Sequence, residues 1–171
     1  MTKLFASFDF SKLPRKLEVI DLADYHESLS DQPKITIWVN LTKALFDEWE
    51  QIQLAIHDNG QVVQKITEEH YQETLAKTPK GKPVDRNAKL SAALEKRLAA
   101  VNELITATND RVYAWYAEVW SQSADASTHV SAEDVRSFAE QCMAGDPALW
   151  SWVTTATQAK IIAYRNLIRK N

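Results

Sequence analysis

Glycine is scarce in this chain, and its scarcity excludes several enzyme classes. Only three glycines occur in 171 residues: Gly60, Gly81 and Gly145. The phosphate-binding loops of P-loop and dinucleotide-binding folds need several glycines within one short turn. No segment of this sequence offers such a cradle, so both classes are excluded.

Cysteine is also scarce, and long apolar runs are missing. The single Cys142 has no partner for an internal disulfide. The first 16 residues are interrupted by Ser7, Asp9 and Ser11, so they lack the apolar core of a signal peptide. No later stretch has the length and hydrophobicity of a membrane span. We therefore expect a cytoplasmic protein that does not interact with a membrane.

A strong charge of one sign is absent as well. The net charge is -3, which gives no general reason to expect nucleic-acid binding. The charges are uneven, since residues 44–75 hold seven acids and one lysine, whereas residues 77–89 hold five bases and one acid. Solvated helix faces and loops explain this distribution at least as well as a functional patch does.

Helical patterns dominate the sequence. With 45% hydrophobic and 25% charged residues, the chain has the composition of a soluble globular protein. We predict a mainly α fold, a bundle of five to six helices with a small N-terminal two-stranded β element. Residues 1–171 are interpreted as a single domain. The segment 77–87, with two prolines and a glycine, is a candidate flexible loop between an N-terminal β/α part and a C-terminal helical part.

The β element is predicted from residues 17–22 and 34–39. In "ITIWV", Ile35, Ile37 and Val39 alternate with Thr36 and Trp38, as in a strand. Since the first segment is the only strand partner that the sequence offers, we expect the second to keep an open edge. Asn40 or Thr42 is the predicted cap of the following helix.

The first long helix is predicted from apolar residues at steps of three and four. They are Leu41, Leu45, Trp49, Ile52 and Ile56. "HDNG" at 57–60 predicts a helix stop before a second helix at 61–77. A hairpin turn at Asp58-Asn59-Gly60, within residues 52–66, is the alternative.

Three or four further helices are predicted in the second half. Residues 88–122 form either one helix or two, with a break at 106–110. "SAED" at 131–134 matches a capping box, and Gly145 ends the helix that it starts. Asp146-Pro147 then opens the last helix, with proline in its first turn.

Candidate catalytic and metal-binding groups are isolated. His70 and Glu73 lie three apart on a predicted helix, beside Glu69, but no second Glu-x-x-His pair exists to complete a two-metal bundle site. Cys142 has no activating base in its neighbourhood, which favours a buried structural thiol. We predict no enzyme activity, no metal and no cofactor.

Residues 131–170 form a candidate helix–turn–helix, and a DNA-binding regulator is therefore an alternative function. The start of its second helix, "PALWSWV", contains no side chain suited to reading base edges. Nucleic acid is for that reason not the expected partner. A generic helical protein–protein interaction module is a further alternative.

The segment "VIDLADY" at 19–25, followed by "ITIWVNLTKALFDEWE" at 35–50, resembles the start of tail assembly chaperones of long-tailed, siphovirus-like phages and prophages. In that pattern an acidic-aliphatic stretch ends in an aromatic residue and precedes a strand that ends in Trp-Val-Asn, before a helix. In those chaperones prolines often follow the asparagine, whereas Leu41-Thr42 follows Asn40 in this chain. The match covers about a fifth of the chain.

The resemblance implies a non-enzymatic helper of virion assembly in the host cytoplasm. Such proteins bind the tape-measure protein and help to recruit tail-tube subunits. Self-association of this chain is a further candidate interaction. The chain has six tryptophans, and exposed aromatic side chains are typical binding anchors. Our candidate partner-binding residues are Trp38, Trp120, Trp150 and Trp152.

Overall fold

The chain is mainly helical in a computed structural model, which describes residues 14–85, 87–121 and 129–169. Four α-helices occur in this part: α1 (Lys43–Lys77), α2 (Ala92–Val119), α3 (Ala132–Gly145) and α4 (Pro147–Arg169). The strands are β1 (Leu17–Ile20), β2 (Ile35–Trp38) and the two-residue β3 (Trp120–Ser121). Two short 3-10 turns, Leu22–Asp24 and Glu27–Leu29, connect β1 to β2.

The chain divides into two compact units. Met1–Thr42 and Tyr116–Asn171 form the first, the sheet unit, and Lys43–Trp115 form the second, the hairpin unit. The segment 77–87 lies inside the hairpin unit, where it belongs to the connection between α1 and α2. None of the helices in the described residues is long and apolar enough to cross a membrane.

The predicted two-stranded unit of residues 17–22 and 34–39 is confirmed, and the structure shows that β1 and β2 pair antiparallel, with Val19 opposite Thr36. The open edge expected for β2 is wrong. β3 pairs antiparallel with the other side of β2, and Trp120 lies opposite Ile37. A strand of two residues shows no alternation, so the sequence does not reveal it. It falls at the end of the helix predicted over residues 88–122.

The helix stop at 57–60 is wrong, and so is its hairpin alternative, because α1 continues without a break through Asn59 and Gly60. Gly60 costs a helix interior about 1 kcal/mol relative to alanine. Ile52 and Ile66, one on each side, are 0% and 2% exposed, and burial of such a side chain contributes about 1.5–3 kcal/mol. Burial therefore outweighs the local stop signal. One helix replaces two, which brings the count to four instead of five to six.

α1 and α2 form an antiparallel helical hairpin. Glu48, early in α1, pairs with Arg111, late in α2. Glu69, late in α1, pairs with Arg97, near the start of α2. Seven of the buried residues recur at steps of seven along the two helices, as in a coiled coil. They are Ile52, Asn59 and Ile66 in α1, and Leu94, Val101, Thr108 and Trp115 in α2.

The unbroken course of α2 answers the question of a break at 106–110. Thr108 lies in the buried seam and accepts a hydrogen bond from the Asn59 side-chain amide at 3.1 Å. Its hydroxyl also donates to the Leu104 carbonyl at 2.8 Å. Thr108, in the middle of the suggested break, thus belongs to the helix and to its contact with α1.

The last two helices begin as their sequences predict. Ser131 and Asp134 form the capping box of α3, with each side chain accepting the other's backbone N–H. Pro147 is the first residue of α4, and the Asp146 carboxylate accepts the Ala148 N–H at 3.0 Å. Proline at this position has no N–H that would need a helical partner.

Candidate functional site

An aromatic cluster occupies the interior of the sheet unit. The Trp120 ring lies 4.8 Å from Tyr116, 6.1 Å from Trp150 and 6.2 Å from Phe138, measured between ring centroids. Trp150 also meets Phe138 at 6.2 Å and Tyr116 at 5.9 Å, both edge-on. Tilted and edge-on pairs at these distances are the favourable arrangements of aromatic rings. The cluster joins β3 to α2, α3 and α4.

Trp120 is a core residue of this cluster. It is 6% exposed, and its indole N–H donates to the Thr157 hydroxyl at 3.1 Å. Thr157 is itself fully buried and donates to the Val153 carbonyl at 2.9 Å. The indole nitrogen is thus satisfied internally, as a buried polar atom requires. Of the four candidate binding tryptophans, Trp120 offers the least surface.

Trp150 and Trp152 are both half-buried, although they lie two residues apart on α4. Trp150 faces the cluster, whereas Trp152 packs against Tyr25 with 5.5 Å between ring centroids. The Tyr25 hydroxyl donates to the Asp146 carboxylate at 2.6 Å, and this hydrogen bond raises the pKa of Tyr25. Tyr25 therefore links the turn after β1 to the start of α4.

Trp38 has a different environment from the other three. Its indole N–H donates to the Asn40 side chain at 2.6 Å, and the Arg15 guanidinium lies 4.4 Å from its ring centroid. Asn40 also donates to the Pro14 carbonyl at 3.0 Å and accepts the Lys16 N–H. The asparagine predicted as a helix cap thus uses its side chain to hold the segment before β1 to the end of β2.

An apolar pocket of about 290 Å³ opens beside the cluster. Its walls are mainly apolar and come from the turn after β1, from β2, from β3 and from α3. They are Leu22, Ile35, Trp120, Val130, Val135 and Phe138. Gln32, Lys34 and Asp134 stand among these residues as polar groups. A concave apolar site with a few polar groups is the usual form of a binding site.

The sequence singled out Trp120 but missed Phe138, which lines the pocket with it, and Tyr25, which packs against Trp152. Phe138 could have been recognised from the apolar spacing of α3, where Val135, Ala139 and Cys142 are buried at steps of four and three. Tyr25 carried a weaker signal, as the aromatic end of "VIDLADY". Neither pattern reveals that both residues meet α4.

The other candidate groups lie apart from this pocket. Among the described residues, no group of three or more His, Cys, Asp or Glu could hold a metal ion. Glu73 accepts from the Ser91 hydroxyl at 3.3 Å, and Glu69 pairs with Arg97. Cys142 is buried, and burial raises the pKa of its thiol, with a smaller contribution from Asp146. A raised pKa disfavours the reactive thiolate at neutral pH.

The candidate helix–turn–helix consists of α3 and α4, with only Asp146 between them. The first turns of α4, which would read bases, hold Trp150 and Trp152 in ring contacts inside the sheet unit. Neither side chain is therefore presented to a DNA groove as a free recognition residue.

Comparisons with protein families, with curated proteins and with solved structures give no match to this chain.

Proposed function

We propose that this protein is a non-enzymatic tail assembly chaperone of a long-tailed phage or prophage, which binds the tape-measure protein and aids the recruitment of tail-tube subunits. The resemblance of residues 19–25 and 35–50 suggests this class of function. The observation that carries it is the apolar pocket, since Ile35 of that same segment forms part of its wall.

The size of the pocket favours one kind of contact. A volume of about 290 Å³ accommodates one large apolar side chain, not a whole helix. A helical partner would therefore insert a single apolar anchor and lie across the rim. Helix recognition commonly depends on such anchors, and aromatic walls strengthen it. Trp120 and Phe138 supply those walls, while Trp150 supports both from behind.

Trp152 and Trp38 would act as secondary contacts. Both are half-buried and thus keep part of the indole ring at the surface. Side chains alternate along a strand, so the side chain of Trp38 lies on the opposite face of β2 from those of Ile35 and Ile37. We therefore assign Trp38 to a contact separate from the pocket, for example with the tail-tube subunit.

The test is co-expression with the tape-measure protein of the same gene cluster, with the soluble fraction of that protein as the readout. Val130 is a half-buried wall residue, and Val130→Trp would fill the pocket. Ser137→Trp introduces the same side chain at an exposed position of α3 that does not line the pocket, and serves as the matched control.

We expect the wild type and Ser137→Trp to keep the tape-measure protein soluble, and Val130→Trp to lose this effect. No gain in solubility with the wild type would contradict the chaperone function itself. Equal solubility with both variants would leave the chaperone function standing and refute the role of the pocket.

A further inference from the structure

A cleft of about 350 Å³ lies at the end of the helical hairpin, where the last turns of α1 meet the connection to α2. Lysine side chains are prominent among the residues that line it. The charged and titratable lining residues are His70, Glu73, Lys77, Lys82, Asp85 and Lys89. This cleft belongs to the hairpin unit and contains none of the residues assigned above to partner binding.

The three lysines of the cleft have no ion-pair partner among the described residues, in contrast to Lys34, Lys43 and Lys160. Those three each lie close to a carboxylate, of Asp21, Asp47 and Glu18 respectively. Three ammonium groups outnumber the two carboxylates around this concavity, which gives its lining a net positive charge that attracts anions.

The two carboxylates that line the cleft keep their negative charge, and each accepts a hydrogen bond from a neutral group. Glu73 accepts from the Ser91 hydroxyl at 3.3 Å, and Asp85 accepts the Asn87 N–H at 2.9 Å. The second bond is an Asx turn, which uses the aspartate to shape the loop. Gly81, with φ of 86°, allows the chain to reverse between Lys77 and Lys82. The loop is thus folded by its own turns, while its lysines stay available.

We infer that this cleft binds a small multivalent oxyanion of the phosphate class, with Lys77, Lys82 and Lys89 as its ligands. Lysine binds phosphate as a point charge without fixed geometry, which suits three side chains from different positions of a loop. The cleft is half-open and small, which favours a small anion. A nucleic-acid duplex instead needs basic groups spread along a track of successive phosphates.

The inference is tested on the full chain by isothermal titration with pyrophosphate as the probe, at low salt. We compare the wild type with Lys82→Gln, Lys89→Gln and, as a control, Lys96→Gln. Lys96 is an exposed residue of α2 in the same unit that does not line the cleft, so its replacement changes the net charge equally. Circular dichroism verifies that the helices are retained.

We expect saturable binding by the wild type, weakened about three- to fivefold by each cleft substitution and less than about twofold by the control. Added salt should weaken binding in every case, since the groups are exposed. Equal affinity in all four proteins, or no saturable binding at low salt, would overturn the inference. It would also be overturned if a DNA duplex bound with this lysine dependence while pyrophosphate did not.

Discussion

The sheet unit and the hairpin unit bury their apolar side chains in different ways. In the sheet unit, a few large rings from distant parts of the sequence converge. The Trp120 ring, for example, contacts those of Tyr116, Phe138 and Trp150. In the hairpin unit, smaller side chains repeat along two helices, with Ile66, Leu94 and Val101 as one cluster. Trp49 and Trp115 form its largest contact, at 4.4 Å between ring centroids.

This difference has consequences for stability and for binding. A repeated seam divides its burial among many equivalent layers, so no single residue dominates. A converging cluster concentrates burial in one residue and forms a pocket where the rings do not fill the space between the elements. The sheet unit therefore combines the more sensitive core with the apolar pocket, while the hairpin unit presents charged side chains.

Trp120→Ala is the change with the largest expected effect. It removes three ring contacts and the hydrogen bond to Thr157, and we expect the free energy of unfolding to fall by about 4 kcal/mol. Ile66→Ala in the hairpin unit should cost about 3 kcal/mol. Urea denaturation followed by circular dichroism measures both.

Trp120→Phe separates ring packing from the hydrogen bond. It keeps an aromatic ring but leaves Thr157 without the indole donor, and a loss of about 1–2 kcal/mol is expected. If Trp120→Ala proved less damaging than Ile66→Ala, the contrast between a concentrated core and a distributed core would be wrong.

Tyr116 gives the sheet unit a dependence on alkaline pH. Burial raises the pKa of Tyr116 to about 12, from an ordinary value of 10.0. Below pH 10 neither the folded nor the unfolded state is ionised at this residue, so its contribution is fully present. Between pH 10 and 12 only the unfolded state ionises, and stability should fall by about 2–3 kcal/mol as pH rises.

The measurement is urea denaturation at several pH values from neutral to alkaline, with Tyr116→Phe as the comparison. The phenylalanine variant has no proton to lose, so it should show a shallower decline over that range. Parallel declines in the two proteins would mean that Tyr116 is not held neutral by its burial.

Thr108→Val has the smallest expected effect and tests the polar layer of the hairpin seam. Valine keeps the shape of threonine but cannot accept the hydrogen bond from the buried Asn59 amide. The unmet amide should cost about 1–2 kcal/mol in the free energy of unfolding. Thr106→Val is the control, because Thr106 is exposed and its hydroxyl donates only to the Asn102 carbonyl at 3.0 Å.

Both variants remove one hydroxyl from α2 at positions two residues apart, so their difference isolates the contact between the helices. An equal loss in the two would mean that the Asn59–Thr108 hydrogen bond adds nothing to the register of the hairpin. A buried polar pair in a heptad seam is otherwise expected to fix which layers face each other.

Local signals predicted those elements whose residues satisfy one another within a few positions. The Ser131–Asp134 box and the Asp146-Pro147 start required no distant partner, and both are present. "HDNG" was misleading because Asn59 has its hydrogen-bond partner 49 residues away, in α2. The same limit applies to the pocket, since Ile35 and Phe138 come from elements that no short pattern connects.

The sequence by itself determined the mainly helical fold, the pairing of residues 17–22 with 34–39 and the starts of α3 and α4, because these depend on backbone preferences and on apolar spacing within one segment. Only the tertiary structure decided that α1 is continuous, that β3 covers the second edge of β2 and that Trp120 is buried. The physical reason is the same in each case. Burial against a distant segment contributes more free energy than local backbone preferences do. A short stretch of sequence does not show which distant segment will cover it.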